Sequence, residues 1–226
     1  MAKSSSAASN FQFGHSHQRV IVNDSKGYLI MKRLLDICGA IIGLVCLSWL
    51  FLVVAILIKL EDPKGPIIFK QVRVGKDGKE FYMYKFRSMV TNAEEFLGSL
   101  LHLNETTGAM FKMKDDPRVT KIGRFIRKTS IDELPQLWNV LKGEMSLVGP
   151  RPPLPREVAQ YTEYDKQRLF VTPGCTGLWQ VSGRSNVGFE EMVELDLIYI
   201  RERSFLYDIG IIFKTIKIMI RPNSAY

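Results

Sequence analysis

Two adjacent carboxylates, Asp132 and Glu133, are the residues of this sequence best suited to chemistry. They follow a basic stretch, 112–128, in which seven Lys or Arg residues outnumber two acidic ones. A carboxylate can act as a nucleophile or move a proton, and nearby guanidinium and ammonium groups stabilise negative charge on a substrate. A run of charges is usually a solvated face, but this run ends on the carboxylate pair, which favours a site for a phosphate-bearing substrate.

The helix expected at this pair has two competing starts. With Ser130 as N-cap, Glu133 would complete a capping box and both side chains would be structural. That start puts Pro135 where its missing N–H costs a hydrogen bond, whereas an Asp132 N-cap places it among N–H groups without intrahelical partners. We therefore predict a helix over Asp132–Lys142, with the Asp132 carboxylate next to Arg127 and ionised in the positive field of the helix end. A cap without catalytic role fits the local sequence equally well.

The composition indicates polyanionic partners and a reducing compartment. The 226 residues include 31 Lys or Arg and 23 Asp or Glu, which gives a net charge of +8. Such a charge suits nucleic acid, phosphorylated small molecules or anionic lipid headgroups. The three cysteines, Cys38, Cys46 and Cys175, have neither the pattern of a disulfide framework nor metal-ligand spacing, so we expect reduced thiols.

An uncharged stretch, 37–58, predicts a membrane helix. At ~1.5 Å per residue its length is roughly 33 Å, which is enough to cross a bilayer core. A buried core helix is the alternative, but soluble helices need a polar face and this stretch offers only Ser48. The chain therefore divides into a polar, disordered tail (1–29), a membrane helix (30–60) and a catalytic domain at the cytoplasmic face (61–226).

Basic residues flank the membrane helix on both sides. Their larger number after the helix favours a cytoplasmic catalytic domain, and their presence on both sides suits a re-entrant helix that enters and leaves by one face. Gly39 and Gly43 have the spacing of a helix-packing surface. They could equally mark where the helix approaches its own domain. The flanking residues are Lys32, Arg33, Lys59, Lys64, Lys70 and Arg73.

A β-hairpin over Pro66–Met89 is the clearest strand signal. Strand-forming residues stand on both sides of a turn at Gly75–Gly78, where Asp-Gly is a strong turn dipeptide. Arg73, Lys85 and Arg87 would project from this hairpin, and we take Lys85 and Arg87 as candidate phosphate contacts.

The rest of the chain predicts helices, so the fold class is α+β and mostly helical. The C-terminal helix is apolar with lysines on one side, and we predict that it lies at the membrane interface as an amphipathic helix. A packed core helix is the alternative. The predicted helices are Asn92–Leu103, Thr120–Lys128, Pro155–Gln167, Phe189–Arg203 and Phe205–Ile220.

Two loops are candidates for phosphate binding. Three prolines within 149–153 force an extended loop, which fixes the direction of Arg151. A second loop, Pro173–Gly177, is rich in glycine, and Gly183 precedes Arg184. Small residues beside a fixed arginine suit contact with phosphate.

Three segments resemble the bacterial sugar transferase family, the monotopic phosphoglycosyl transferases that begin polyprenol-linked glycan assembly. The segments are YKFRSM, RKTSIDELPQLWNVLKGEMSLVGPRP and TPGCTGLWQVSGR, which start at Tyr84, Arg127 and Thr172. The resemblance runs from about Ile30 to the C-terminus and implies the minimal catalytic form, without the extra membrane domain of larger members.

The resemblance implies transfer of sugar 1-phosphate from a UDP-sugar to undecaprenyl phosphate, with release of UMP, at the bacterial inner membrane. Asp132 matches the family nucleophile, which forms a phosphosugar–aspartyl intermediate, and Glu133 matches its acidic neighbour. Mg²⁺ is the implied metal, and its preference for oxygen ligands fits this pair. The implied phosphate-contacting arginines are Arg127, Arg151 and Arg184. A homodimer stays open, as do the sugar and the glycan, which could be exopolysaccharide, capsule, O-antigen or glycoprotein glycan.

One departure concerns the membrane helix. Family members commonly have Ser-Pro at its middle, where this chain has Ser48-Trp49. Without proline the usual cause of a kink is missing, and Ser48 bonding back to a carbonyl would bend the helix weakly. We still expect the re-entrant topology, because both flanks are basic.

Two functions from other classes compete with the transferase. A membrane-tethered nucleic-acid binder would explain the basic charge, but the acidic pair would repel a phosphate backbone, so no nucleic-acid partner is expected. A non-catalytic adaptor of glycan assembly would tolerate replacement of Asp132.

Overall fold

The computed structural model describes residues 19–104, 113, 115–183 and 187–220. Within them the fold is α+β and mostly helical, as predicted. The helices are α1 (Lys26–Cys46), α2 (Ser48–Glu61), α3 (Leu97–Leu100), α4 (Lys121–Lys128), α5 (Gln136–Lys142), α6 (Pro155–Val158), α7 (Leu178–Ser182), α8 (Phe189–Glu202) and α9 (Phe205–Ile220). Short 3₁₀ turns cover Lys76–Gly78, Leu101–Leu103, Ile131–Glu133 and Asp165–Phe170. The strands are β1 (Ile68–Val74), β2 (Glu80–Phe86), β3 (Ser146–Val148) and β4 (Gly174–Thr176).

The predicted hairpin is confirmed. Strands β1 and β2 pair antiparallel, from Ile68 opposite Phe86 to Val74 opposite Glu80. The turn between them uses left-handed backbone at Asp77 (φ 56°), which aspartate tolerates better than most residues. Strands β3 and β4 form a parallel pair that the sequence analysis missed, because three-residue strands leave too short a pattern to detect.

The predicted single membrane helix is instead two helices, α1 and α2. They meet at Leu47 with a bend of 59°. The Ser48 hydroxyl donates to the Val45 carbonyl at 2.8 Å, a bond of the kind that bends helices. Among the described residues no single helix is long and apolar enough to span a membrane, whereas α1 and α2 together meet that criterion by length and composition.

Gly39 and Gly43 face the protein's own domain, which decides between the two interpretations of their spacing. A Cβ on Gly39 would lie 2.6 Å from Leu147 Cδ1, and one on Gly43 would lie 2.8 Å from Leu137 Cδ1. Between them Ala40 is fully buried. Helix α1 therefore packs along α5 and β3, and the glycines permit this close approach.

The basic residues that flank the apolar stretch make contacts within the protein. Lys32 forms a buried ion pair with Asp208 of α9 at 2.9 Å. Arg33 donates to the last carbonyls of α5, those of Val140 and Leu141. Lys59 donates to carbonyls of the following loop. These cations position α1 and α2 on the domain, a role that a count of flanking charge does not reveal.

Helix α9 has one packed face and one exposed apolar face. Asp208 and Ile211 lie buried on one face, while Leu206 and Phe213 are 78% and 67% exposed on the other. Helices α1 and α2 are also apolar on their exposed sides. Their exposed apolar residues include Ile30, Leu34, Ile42, Val45, Trp49, Leu52, Ile56 and Leu60.

Two predicted helices are shorter than expected. Over Asn92–Leu103 only Leu97–Leu100 is α-helical, because the preceding turns close hydrogen bonds from residue i to i−3. Over Pro155–Gln167 only α6 forms. The Asp165 carboxylate accepts from the backbone and hydroxyl of Thr162, a local bond that competes with the helix.

The other predicted helices form at α4 and α8, each within one or two residues of its predicted ends. Most of the predicted disordered tail lies outside the described residues. Its last part is ordered: α1 begins at Lys26, and Asn23 and Asp24 both contact Arg203.

Gly174 should be intolerant of any side chain. A Cβ there would overlap the backbone nitrogen of Gly149, because the chain that follows β3 passes close to the start of β4. We expect Gly174→Ala to lower the free energy of unfolding by about 3 kcal/mol, measured by denaturant unfolding in detergent. Gly27→Ala is the matched control, since its Cβ would meet no described atom within 4 Å. Equal stability of the two variants would contradict the packing described.

Candidate active site

The carboxylate pair lies in a tight turn between α4 and α5. Ser130 has left-handed backbone (φ 57°), after which Ile131–Glu133 forms a 3₁₀ turn. Helix α5 begins at Gln136, so the predicted N-cap role of Asp132 is wrong. The reason is that the chain closes i to i−3 bonds here, which puts Pro135 immediately before the helix rather than inside it.

Asp132 is a buried carboxylate with an upward-shifted pKa. Asp132 is 7% exposed. Burial raises its pKa to about 6, Glu133 adds to the rise, and the charges of Lys85 and Arg127 oppose it. Asp132 is thus ionised above this pH, but through nearby cations rather than the field of a helix end.

Glu133 differs from its neighbour in exposure and charge balance. Its side chain is 41% exposed, and its carboxylate accepts from the Lys85 ammonium at 2.7 Å. Partial burial would raise its pKa, but Lys85, followed by Arg73 and Arg151, lowers the pKa below its ordinary value. Glu133 therefore carries a fixed negative charge beside Asp132, and the two carboxylates are suited to different tasks.

Lys85 and Arg73 reach this site from one face of the hairpin. Lys85 stands opposite Phe69 and Arg73 opposite Phe81, and side chains at such cross-strand positions share a face. Arg73 is buried and donates to the Pro152 carbonyl at 2.9 Å. The sequence analysis named Arg73 as projecting from the hairpin but left it out of the site, although strand alternation would have placed it on the same face as Lys85.

Two of the remaining predicted phosphate contacts, Arg127 and Arg151, act on the carboxylate pair. Arg127, on the last turn of α4, acts on Asp132 through its charge. Arg151 acts in the same way on Glu133, and its guanidinium pairs with Glu157 at 3.0 Å.

Arg87 points away from the pair. It is buried and contacts Asp62 and the carbonyl oxygens at the end of α2, so it connects the hairpin to α2. Arg184 lies outside the described residues.

The acidic pair could hold a hard cation with help from a substrate. Across the described ranges no group of three or more His, Cys, Asp or Glu side chains forms a metal site. Mg²⁺ is commonly held by one or two carboxylates together with substrate phosphates and water, and Asp132 and Glu133 would fit that pattern. The pKa of Asp132 is raised because the nearby positive charges do not offset the effect of burial. A bound cation would add positive charge and stabilise the ionised carboxylate.

Removal of the Asp132 charge should stabilise the metal-free protein. A carboxyl group whose pKa is higher in the folded state favours folding while protonated and loses that contribution as pH rises through about 6. We therefore expect the free energy of unfolding of Asp132→Asn, measured in detergent with EDTA, to be about 1–3 kcal/mol higher than that of the wild type above pH 7. The difference should shrink between pH 6 and pH 4. A variant less stable than the wild type at pH 7.5 would contradict the burial of an ionised carboxylate.

Comparison with known proteins identifies the family. The family model described as "Bacterial sugar transferase" matches residues 27–222. The chain belongs to the bacterial sugar transferase family. The resemblance seen in the sequence is thereby confirmed, and the matched region of the chain includes every element that builds the site.

Three relatives show how much of each protein this chain covers. It is 54% identical over 201 residues to the galactosyl transferase CpsE of Streptococcus agalactiae serotype III, covering 88% of this chain and 44% of that protein. It is 46% identical over 200 residues to the undecaprenyl-phosphate galactose phosphotransferase of Salmonella typhimurium, covering 87% and 42%. It is 41% identical over 201 residues to the exopolysaccharide production protein ExoY of Sinorhizobium fredii, covering 87% and 88%. The chain thus spans less than half of the first two relatives and most of the third.

Proposed function

We propose that this transferase moves sugar 1-phosphate from a UDP-sugar to undecaprenyl phosphate at the cytoplasmic face of the bacterial inner membrane, and releases UMP. The observation that carries the proposal is Asp132 itself, a buried carboxylate with a raised pKa beside Lys85 and a fixed negative charge on Glu133. A relative named for phosphotransfer to undecaprenyl phosphate supports the acceptor.

Asp132 is the nucleophile in this proposal. One of its carboxylate oxygens forms a bond to the sugar-bearing phosphorus, and the bond from that phosphorus to the bridging oxygen breaks. UMP leaves with the bond electrons, and a phosphosugar remains on Asp132 as an acyl phosphate. An oxygen of the lipid phosphate then attacks the same phosphorus, which restores the Asp132 carboxylate and gives the sugar–diphosphate lipid.

Charge neutralisation is the main contribution of the surrounding residues. A carboxylate that approaches a diphosphate meets repulsion, so positioned cations must offset the charge. Lys85, Arg73 and Arg151 surround Glu133, and Arg127 lies near Asp132. The carboxylates of Asp132 and Glu133 would hold Mg²⁺, which when bound neutralises diphosphate charge. Glu133, already paired with Lys85, would orient these cations toward the donor.

The packing of α1 and α2 supports a re-entrant topology. Helix α1 is attached to the catalytic unit at Lys32 and Arg33, and the end of α2 is attached to the same unit through Arg87. Glu61 also accepts from the first backbone N–H groups of α4. Because both ends contact one folded unit, the bent pair would enter and leave the membrane from one face.

The acceptor lipid can reach Asp132 from that face. The two helices that flank the carboxylate pair expose large aromatic side chains, Phe125 on α4 and Trp138 on α5. Exposed apolar surface on α1, α2 and α9 would lie in the bilayer, which brings a membrane-bound phosphate within reach of a site at the interface.

A UMP-release assay over several UDP-sugars tests the proposal. The donors are the UDP derivatives of glucose, galactose and their N-acetylated forms, with undecaprenyl phosphate and Mg²⁺ in detergent. We expect UMP release from at least one donor, dependent on Mg²⁺, with matching formation of a sugar–diphosphate lipid. Release from none of the donors would contradict the proposal.

A further inference from the structure

Glu157 is a carboxylate that no proposed step uses, and it is 1% exposed. It accepts from both terminal nitrogens of Arg151, at 3.0 and 3.4 Å, and from the backbone N–H of Leu154 at 2.8 Å. Burial would raise its pKa, but Arg151 and these hydrogen bonds lower it, so Glu157 is ionised. A buried carboxylate is costly unless it is paired in this way, which makes the contact with Arg151 a specific one.

Arg151 is held at both its ends. Its guanidinium is bound by Glu157, while its backbone carbonyl accepts from Arg168 at 3.4 Å. Arg168 is itself fixed, because it pairs with Asp196 at 2.6 Å and donates to the Tyr161 hydroxyl at 2.8 Å. These contacts give the Arg151 side chain one orientation before any substrate binds.

The neighbour of Arg151 on the hairpin is Arg73, and the loop that carries Arg151 is bound to the same strand. Arg73 donates to the Pro152 carbonyl, and the Val74 N–H donates to the Pro153 carbonyl at 2.9 Å. Two guanidinium groups that approach each other repel, and the pKa of Arg73 falls to about 9 through burial and the charge of Arg151. Glu157, which is buried, supplies negative charge to both arginines.

We infer that Glu157 is a positioning residue, which orients Arg151 and offsets its repulsion from Arg73 so that the Arg151 guanidinium is available to the diphosphate of the donor. The inference rests on the proposed function. Glu133 and Lys85 form the substrate side of this arrangement, and Glu157 forms its buried side. A side chain that only stabilised the fold would affect the amount of folded protein but leave donor recognition intact.

A double-mutant cycle of Glu157→Gln and Arg151→Met tests the inference, with a donor chosen from the four UDP-sugars above as one from which the wild type releases UMP. We expect E157Q to raise the KM for the donor about tenfold with a smaller change in kcat. Without Glu157, the Arg151 side chain must be ordered when the donor binds, and this cost weakens donor binding. The double variant should be no worse than R151M alone, because Glu157 acts through Arg151. Glu194→Gln is the matched control: this half-buried glutamate accepts from the Tyr164 hydroxyl and should keep wild-type KM.

Additive effects in the cycle, or a wild-type KM in E157Q, would overturn the inference. Should the glutamine variant fail to fold, Glu157→Asp replaces it in the same cycle. The shorter carboxylate keeps its charge but withdraws from Arg151, so its KM should rise less than that of R151M and the double variant should again equal R151M. Wild-type protein that releases no UMP would overturn the proposed function itself, whereas wild-type turnover with an unchanged E157Q would overturn this inference alone.

Discussion

Asp132→Asn is expected to lower kcat for UMP release by about 10³-fold or more. Asparagine keeps the size and shape of the side chain, but its neutral amide oxygen is a poor nucleophile and cannot form the acyl phosphate. The measurement is steady-state UMP release in detergent with saturating donor, undecaprenyl phosphate and Mg²⁺. Because the same variant should be at least as stable as the wild type, loss of turnover cannot be attributed to unfolding.

Asp165→Asn is the control for this prediction. Asp165 accepts hydrogen bonds from Thr162 at the protein surface, so its replacement removes a carboxylate without touching the site. It should keep turnover within about twofold of the wild type. An Asp132→Asn variant that retained more than a tenth of wild-type turnover would exclude Asp132 as the nucleophile and favour a non-catalytic role for the chain.

Lys32→Met should cause the largest loss of stability. The Lys32 ammonium pairs with Asp208 at 2.9 Å and also donates to the Val148 carbonyl at 2.8 Å. Asp208 is fully buried, so removal of the cation leaves a charged carboxylate that keeps hydrogen bonds from the hydroxyls of Tyr28 and Tyr199 but lacks its ion-pair partner. The expected loss is about 3–5 kcal/mol in the free energy of unfolding, measured by denaturant titration in detergent.

Two further variants test whether this loss of stability comes from the buried ion pair. Asp208→Asn in the Lys32→Met background should recover part of the stability, because the unpaired charge is then absent. Lys166→Met removes an exposed ion pair with Glu163 and should cost less than about 1 kcal/mol. If Lys32→Met and Lys166→Met were equally stable, the buried ion pair would not be what attaches α1 to the domain.

Local signals in the sequence predicted the hairpin and the long helices well. The Asp-Gly turn and alternating strands placed β1 and β2, and apolar periodicity placed α8 and α9. Such features depend on neighbouring residues alone, so a single sequence contains them. Lys85 was named as a candidate phosphate contact, and strand alternation would also have placed Arg73 on the same face of the hairpin.

What the sequence did not predict depends on contacts between distant segments. The basic residues before the apolar stretch looked like a membrane-topology signal, yet Lys32 and Arg33 contact residues more than a hundred positions away. The pairing of Arg87 with Asp62 removed it from the site for the same reason. At Asp132, proline chemistry favoured a helix start, but the left-handed backbone of Ser130 produced a 3₁₀ turn instead. Tertiary context overrides local preference at such points.

The most direct test of Asp132 as nucleophile is the mass of the protein after incubation with an active UDP-sugar and Mg²⁺ in the absence of undecaprenyl phosphate. The account predicts a burst of UMP that does not exceed one equivalent, and a protein heavier by one sugar phosphate. Peptide mapping should locate the added mass on Asp132, and undecaprenyl phosphate should remove it. UMP release that requires undecaprenyl phosphate, with no added mass on the wild-type protein, would contradict a covalent intermediate and point to direct transfer between the two substrates.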